Sequence, residues 1–127
     1  MNTDDGLYKD LTYKIIGALY EVHNELGPVH KERVYSKAVA KELKSRNIGY
    51  EMEKAVPVIF KGEKVGVYRP DFIVEDRVVL EFKVVPLITK VMLDQIFYYI
   101  KGTKYKLALL VNFGTTRLSI KRRIFSK

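Results

Sequence analysis

Residues 78–85, Val-Val-Leu-Glu-Phe-Lys-Val-Val, constrain the fold more than any other stretch of this chain. The run is apolar enough for a strand buried on both faces. Yet it carries Glu81 and Lys83. Unpartnered charge in such a strand costs on the order of several kcal/mol. Side chains alternate along a strand, so Glu81 and Lys83 project to one side and Phe82 to the other. Residues 65–74 read as the preceding strand, ending in Arg69-Pro70-Asp71-Phe72-Ile73-Val74, with Glu75-Asp76-Arg77 as the turn. Directly opposed antiparallel residues share a face. A three-residue turn pairs Val74 with Val78, and so Asp71 with Glu81. A two-residue turn would set Asp71 opposite Leu80, on the wrong side. A bulge near Pro70, which donates no ladder hydrogen bond, would restore the match. The chain is therefore expected to bring Asp71, Glu81 and Lys83 together on one face. The rival account is a structural ion network, which seldom adds net stability when buried.

The rest of the chain supplies a frame for that hairpin. Over residues 7–26 the apolar positions Leu11, Ile15, Leu19, Val22 and Leu26 step by three and four, predicting a helix that Gly27-Pro28 ends. A second helix is expected over residues 30–46, with Val34, Ala38, Val39 (or Tyr35) and Leu43 inward and Asn47 and Gly49 at its end. From residue 50 the period becomes two. A strand over residues 55–60 contains Pro57, which places it near an edge or a bulge. Lys61-Gly62-Glu63-Lys64 is a turn. After Pro86, Thr89 can cap a third helix, with Leu93, Ile96, Phe97 and Ile100 inward. Residues 105–112 and 118–125 are the last two strands. The order α-α-β-β-β-α-β-β predicts an α/β domain over residues 1–127, a mixed sheet with helices packed over it.

Composition narrows the function classes. With 127 residues, 47% of them apolar, the chain can bury one core. It has no cysteine, which excludes disulfides, thiolate metal sites and a cysteine nucleophile. No secretory signal and no membrane span are expected, so a cytoplasmic location is the simplest outcome. Twenty-three basic against 15 acidic residues give a net charge of +8. That surplus favours a polyanionic partner such as nucleic acid, although solubility alone would also account for it.

Phosphodiester hydrolysis needs a divalent cation at the phosphate, a deprotonated water and a stabilised leaving oxygen. Mg²⁺ or Mn²⁺ takes oxygen ligands, commonly one or two carboxylates. Asp71 and Glu81 could supply them, with the main-chain carbonyl of Phe82 as a further ligand. Lys83 could orient the attacking water, stabilise the pentavalent charge or, if burial lowers its pKa, accept a proton.

Pro70-Asp71 followed by Glu81-x-Lys83 resembles the PD-(D/E)xK nuclease superfamily. Gly27-Pro28, Glu32 and Tyr35 resemble the naming motif of its GxxExxY family, with a longer glycine-to-glutamate spacing than that label. Arg69-Pro70-Asp71-Phe72, Glu81-Phe82-Lys83, Gln95 and Leu109-Leu110-Val111-Asn112-Phe113-Gly114 resemble further blocks of that family in the same order. The likeness spans residues 13–125. It implies a restriction-endonuclease-like sandwich, Asp71 and Glu81 as metal ligands and Lys83 as the catalytic lysine. It also implies Glu32 as an auxiliary acid, and Gln95 as the residue that positions water or backbone phosphate. The resemblance thus implies a metal-dependent nuclease acting on nucleic acid, with DNA favoured and a homodimer possible. The rival is a module that keeps the fold for binding alone. One departure is that Glu75-Asp76-Arg77 lacks the glycine expected in that turn.

Several residues carry a simpler account beside the functional one. Glu32 can serve the helix dipole, and Gln95 can be a solvated polar residue. Tyr35 fits core packing with its hydroxyl bonded. His30 fits a surface or capping role and His23 fits packing. Phe97-Tyr98-Tyr99 is either a helix burying one side or a stacking platform. Lys121-Arg122-Arg123, with Arg117 and Lys127, is either a solvated edge or a phosphate-binding surface.

Overall fold

The computed structural model describes residues 6–127. Two helices, α1 (Lys9–Leu26) and α2 (Glu32–Ser45), precede five strands: β1 (Tyr50–Met52), β2 (Val56–Phe60), β3 (Glu63–Tyr68), β4 (Phe72–Val74) and β5 (Val78–Lys83). Helix α3 (Lys90–Lys101) and strands β6 (Leu107–Asn112) and β7 (Ser119–Ile124) complete the order. Five strands form a mixed sheet in the order β1-β4-β5-β6-β7, with β5 and β6 parallel and the other neighbours antiparallel. Strands β2 and β3 form a separate hairpin.

The helices close where expected. Gly27 takes a positive φ of 69° at the end of α1, and its N–H donates to the His23 carbonyl. Asn47, with φ 61°, follows α2. The Thr89 hydroxyl accepts the Met92 N–H at 3.2 Å, capping α3. Ile15, Leu19, Tyr35, Val39 and Leu43 pack on Phe72, Val78, Leu80 and Phe82 from one side of the sheet. Ile96, Phe97 and Ile100 pack on Ile73, Val79, Ala108 and Leu110 from the other. Strands β5 and β6 are thus covered twice, which explains their near-continuous apolar character. Val34 departs from the expected inward stripe of α2; it is exposed, and Tyr35 takes the buried position. Tyr35 donates its hydroxyl to the Gly27 carbonyl and stacks on Phe113 at 4.5 Å.

The expected single strand over residues 65–74 is two. Strand β3 pairs with β2, and β4 pairs with β1 and β5. The break falls at Arg69-Pro70-Asp71, where proline has no N–H to continue a ladder. The β2–β3 hairpin lies against α3 instead: the Ile59 N–H donates to the Gly102 carbonyl at 3.1 Å. Its register shifts between Val58 and Ile59, next to Pro57, where an edge or bulge was expected.

The exit of β5 is held by the segment after β6. Asn112 Oδ1 accepts the N–H groups of Val85 (3.1 Å) and Gly114 (2.9 Å), while Nδ2 donates to the Val85 carbonyl at 2.9 Å. A Cβ on Gly114 would stand 2.6 Å from the Val85 nitrogen, so only glycine fits. Gly114→Ala is expected to lower stability by about 1–3 kcal/mol through overpacking. Asn112→Ala is expected to cost about the same by orphaning buried backbone groups. Urea unfolding of both variants would measure this, and wild-type midpoints would overturn the account.

Candidate active site

The turn between β4 and β5 decides the site. Val74 pairs with Val78 and Phe72 with Leu80, the register of a three-residue turn. The Arg77 N–H donates to the Val74 carbonyl at 3.0 Å, across Glu75 and Asp76. Both acids have φ 52°, the mirror-image turn usually given to glycine or asparagine. Their side chains supply the compensation. The Glu75 carboxylate accepts the Gly49 N–H, and the Glu75 N–H donates to the Gly49 carbonyl at 2.9 Å. Asp76 accepts the Tyr105 hydroxyl at 2.6 Å and the Lys104 ammonium at 3.3 Å. Anchoring of this kind replaces the missing glycine.

One step beyond Phe72 and Leu80 the ladder stops and the acids take it over. The Asp71 N–H donates to Glu81 Oε1 at 2.7 Å. The Phe82 N–H donates to Asp71 Oδ2, also at 2.7 Å. Each carboxylate therefore holds the other's strand, and both sit at one end of β5. Val79 and Ile73, two residues back along each strand, lie under α3, so Asp71, Glu81 and Lys83 belong to that face. Phe82 turns its ring to the opposite core, 5.2 Å from Phe72 and 5.1 Å from Phe113.

The electrostatics report how close the charges lie. Burial pushes the Glu81 carboxyl up to about 7, with the Asp71 charge as the next cause. Burial also raises Asp71, against the opposing pull of the Phe82 N–H and Lys83, and Glu53 adds to the rise. Glu32, exposed overall at the start of α2, is raised by its partial burial and by Asp71, and is lowered by Lys83. One ammonium, that of Lys83, thus acts on all three acids.

A cavity of about 560 Å³ opens beside Asp71, lined from α2 by Glu32, Arg33, Ser36 and Lys37 and from β1 and its exit by Met52 and Glu53. Gln95 is exposed on α3, and its side chain makes no hydrogen bond among the described residues. It lies one helical turn before Tyr99, on the same flank. Tyr99 stacks face to face on Tyr68 at 5.2 Å. The Tyr68 hydroxyl is buried beside Glu81, close enough to bias its charge but without a well-formed hydrogen bond.

Tyr68 and Glu53 were not anticipated as neighbours of the site. Tyr68 looked like one more residue of a long strand, and Glu53 sits in an irregular turn with φ 52°. Only the proximity of Tyr68 to the Arg69-Pro70-Asp71 block hinted at it. His23 is a packing residue, buried with Nε2 2.9 Å from the Thr115 carbonyl oxygen. His30 stands edge-on to Tyr35.

Among the described residues no group of three or more acidic, histidine or cysteine side chains could hold a metal. The side chains that could hold one are the Asp71–Glu81 pair. Asp71 keeps one oxygen free of hydrogen bonds among the described residues. Two hard, mutually repelling oxygen donors fit a divalent cation that keeps waters and takes substrate oxygens.

A sequence model of the PD-(D/E)XK nuclease superfamily matches residues 9–123. The chain belongs to that superfamily. Neither curated proteins nor solved structures give a match. The five-stranded mixed sheet flanked by helices agrees with the restriction-endonuclease-like fold of PD-(D/E)XK proteins. Among the described residues no helix is long and apolar enough to cross a membrane.

Because Glu81 holds its proton more tightly when folded than at its ordinary 4.5, its contribution to stability is complete below about pH 4.5. That contribution is lost as pH rises through about 7. In chelator, wild type should lose on the order of 2–3 kcal/mol relative to Glu81→Gln between pH 5 and pH 8. Paired denaturant melts would check this, and a difference that stays flat with pH would refute it.

Proposed function

We propose that this PD-(D/E)XK chain is a metal-dependent nuclease that hydrolyses phosphodiester bonds in nucleic acid, DNA by preference. The observation that carries the reading is the paired clasp of Asp71 and Glu81 at one strand end, with the Lys83 charge felt by both. Asp71 and Glu81 would hold Mg²⁺ or Mn²⁺, with the Phe82 carbonyl beside them. Such an ion would neutralise the phosphate and acidify the attacking water. Lys83 orients that water and offsets the charge that develops on phosphorus. Glu32, across the cavity from Asp71, is the auxiliary acid. Gln95 positions water or a backbone phosphate from the α3 flank that carries Tyr99.

The finer family assignment, GxxExxY, is part of the proposal. It is supported by the way Gly27, Tyr35 and Phe113, from separate sequence blocks, meet in one cluster. A single domain over residues 1–127, a cytoplasmic location and a homodimer that brackets a duplex complete the reading.

Millimolar Mg²⁺ or Mn²⁺ should raise the melting temperature by binding linkage, and Asp71→Ala should abolish the rise. Nicking or cleavage of plasmid DNA in Mg²⁺ should fall about a hundredfold or more in Lys83→Ala with the fold retained. Full activity in Glu81→Ala would overturn the role assignment. Salt-sensitive retention of nucleic acid with no cleavage under any metal would leave a binding module instead.

A further inference from the structure

Strand β7 divides the basic cluster of the sequence by face. Lys121 pairs with Leu110 and Arg123 with Ala108, and both partners lie in the core beneath α3. Lys121 and Arg123 therefore point to the α3 side. Arg122 points the other way and donates to the Leu7 carbonyl at 2.9 Å. Lys127 is used differently: its ammonium donates to the carbonyls of Ile100, at 2.8 Å, and Thr103, closing the end of α3.

A cleft of about 200 Å³ lies between α3 and β7. Arg123 holds its guanidinium over two rings, 5.3 Å from Phe97 and 5.8 Å from Phe125. This stacking fixes a cation at the wall of the cleft rather than leaving it to wander in solvent. Tyr98 stands at the rim, 72% exposed, with the Lys101 ammonium 5.9 Å from its ring. The one acid lining the cleft, Asp94, is paired to Lys90 at 2.7 Å.

The cleft also has a direction. Glu81 pairs with Leu110 and Leu110 with Lys121, so the acid and the lysine occupy one row on one face. Two interstrand spacings separate them, roughly 10 Å. Helix α3 is the crossover between the parallel strands β5 and β6 and must run back along them. Lys90 therefore lies toward the Glu81–Lys83 end of the sheet and Lys101 toward the far end. The cations form a track that ends at the carboxylates.

We propose that the α3–β7 cleft binds single-stranded nucleic acid, with Lys101, Lys121 and Arg123 on its phosphates and Tyr98 stacked on a base, and leads it to Asp71 and Glu81. A volume of this size admits a single base. An exposed ring beside a cationic groove is the combination that single-strand binders use, because an unpaired base offers its face while a paired one does not. The inference deepens the nuclease reading by naming a single strand as its substrate. It rests on that reading for the destination of the strand, but the binding itself needs no catalysis.

The test is fluorescence anisotropy in chelator, with a short labelled mixed-sequence strand, as DNA and as RNA, and the duplex of the same sequence. Lys101→Glu/Lys121→Glu spares the packing of Arg123, and Lys9→Glu/Lys14→Glu on α1 makes the same charge change on the opposite face of the sheet. The single strand should bind more tightly than the duplex. Tyr98→Ala should weaken it about tenfold with little change in salt dependence. The α3–β7 pair should weaken it further and lower the slope of log affinity against log salt by about 1.4, near 0.7 for each lost phosphate contact. Binding of either sugar that obeys these variants supports the proposal. An α1 pair as damaging as the α3–β7 pair, a silent Tyr98→Ala, or a duplex bound as tightly as the strand overturns it. Circular dichroism melts confirm that each variant is folded. A wild-type chain that binds by these rules but never cuts under any metal sinks the nuclease reading and leaves the cleft standing.

Discussion

Two hydrogen bonds at the end of the β4–β5 ladder hold the candidate site together. Asp71 gives its N–H to Glu81 and takes the N–H of Phe82. Without those acceptors both amides would be unpaired next to a packed core, at a cost of about 1–3 kcal/mol each. The carboxylates finish a sheet that main-chain atoms leave incomplete. Their structural and chemical duties are the same contacts, and the arrangement brings two negative charges together against their repulsion. Burial pushes both acids up, and for Glu81 the Asp71 charge adds to the push. The Lys83 ammonium relieves part of it.

The surrounding fold is arranged to keep that end of the sheet rigid. β5 and β6 are covered on both faces, so their register cannot slip without exposing one core or the other. Asn112 and Gly114 clamp the backbone where β5 leaves the sheet, directly after Lys83. Phe113 packs against both Tyr35 and Phe82 beneath the same point. Glycine, tyrosine and Asn-Phe-Gly blocks that look unrelated along the chain are thus one support. Their distance from the acids in sequence hides a single packing problem.

Much of this was legible from local pattern. Helix positions followed from three-and-four spacing and Gly or Thr punctuation, because each helix buries one stripe. The three-residue turn implied the partnership of Asp71 with Glu81, because strand side chains alternate strictly. Other features were not legible. The departure of β3 from β4 depends on a tertiary choice: the hairpin packs against α3 at Gly102 rather than extending the sheet. Tyr68 reaches Glu81 only through that choice. The acidic turn at Glu75 and Asp76 lacks its expected glycine, and its anchors, Gly49 and Tyr105, lie 26 and 29 residues away in sequence.

By itself the sequence determined the alternation of the charged strand, the candidate acids, the helical stripes and the excess of positive charge. These are properties of spacing and composition, which no later contact can alter. Tertiary structure alone decided which acids feel one another, which oxygen stays open, and which neighbours the cations of β7 meet. Such matters depend on segments distant in sequence meeting at a few ångströms, where burial strengthens every charge. Lys121, Arg122 and Arg123 are adjacent in the chain, yet β7 sends the middle one to the opposite face of the sheet.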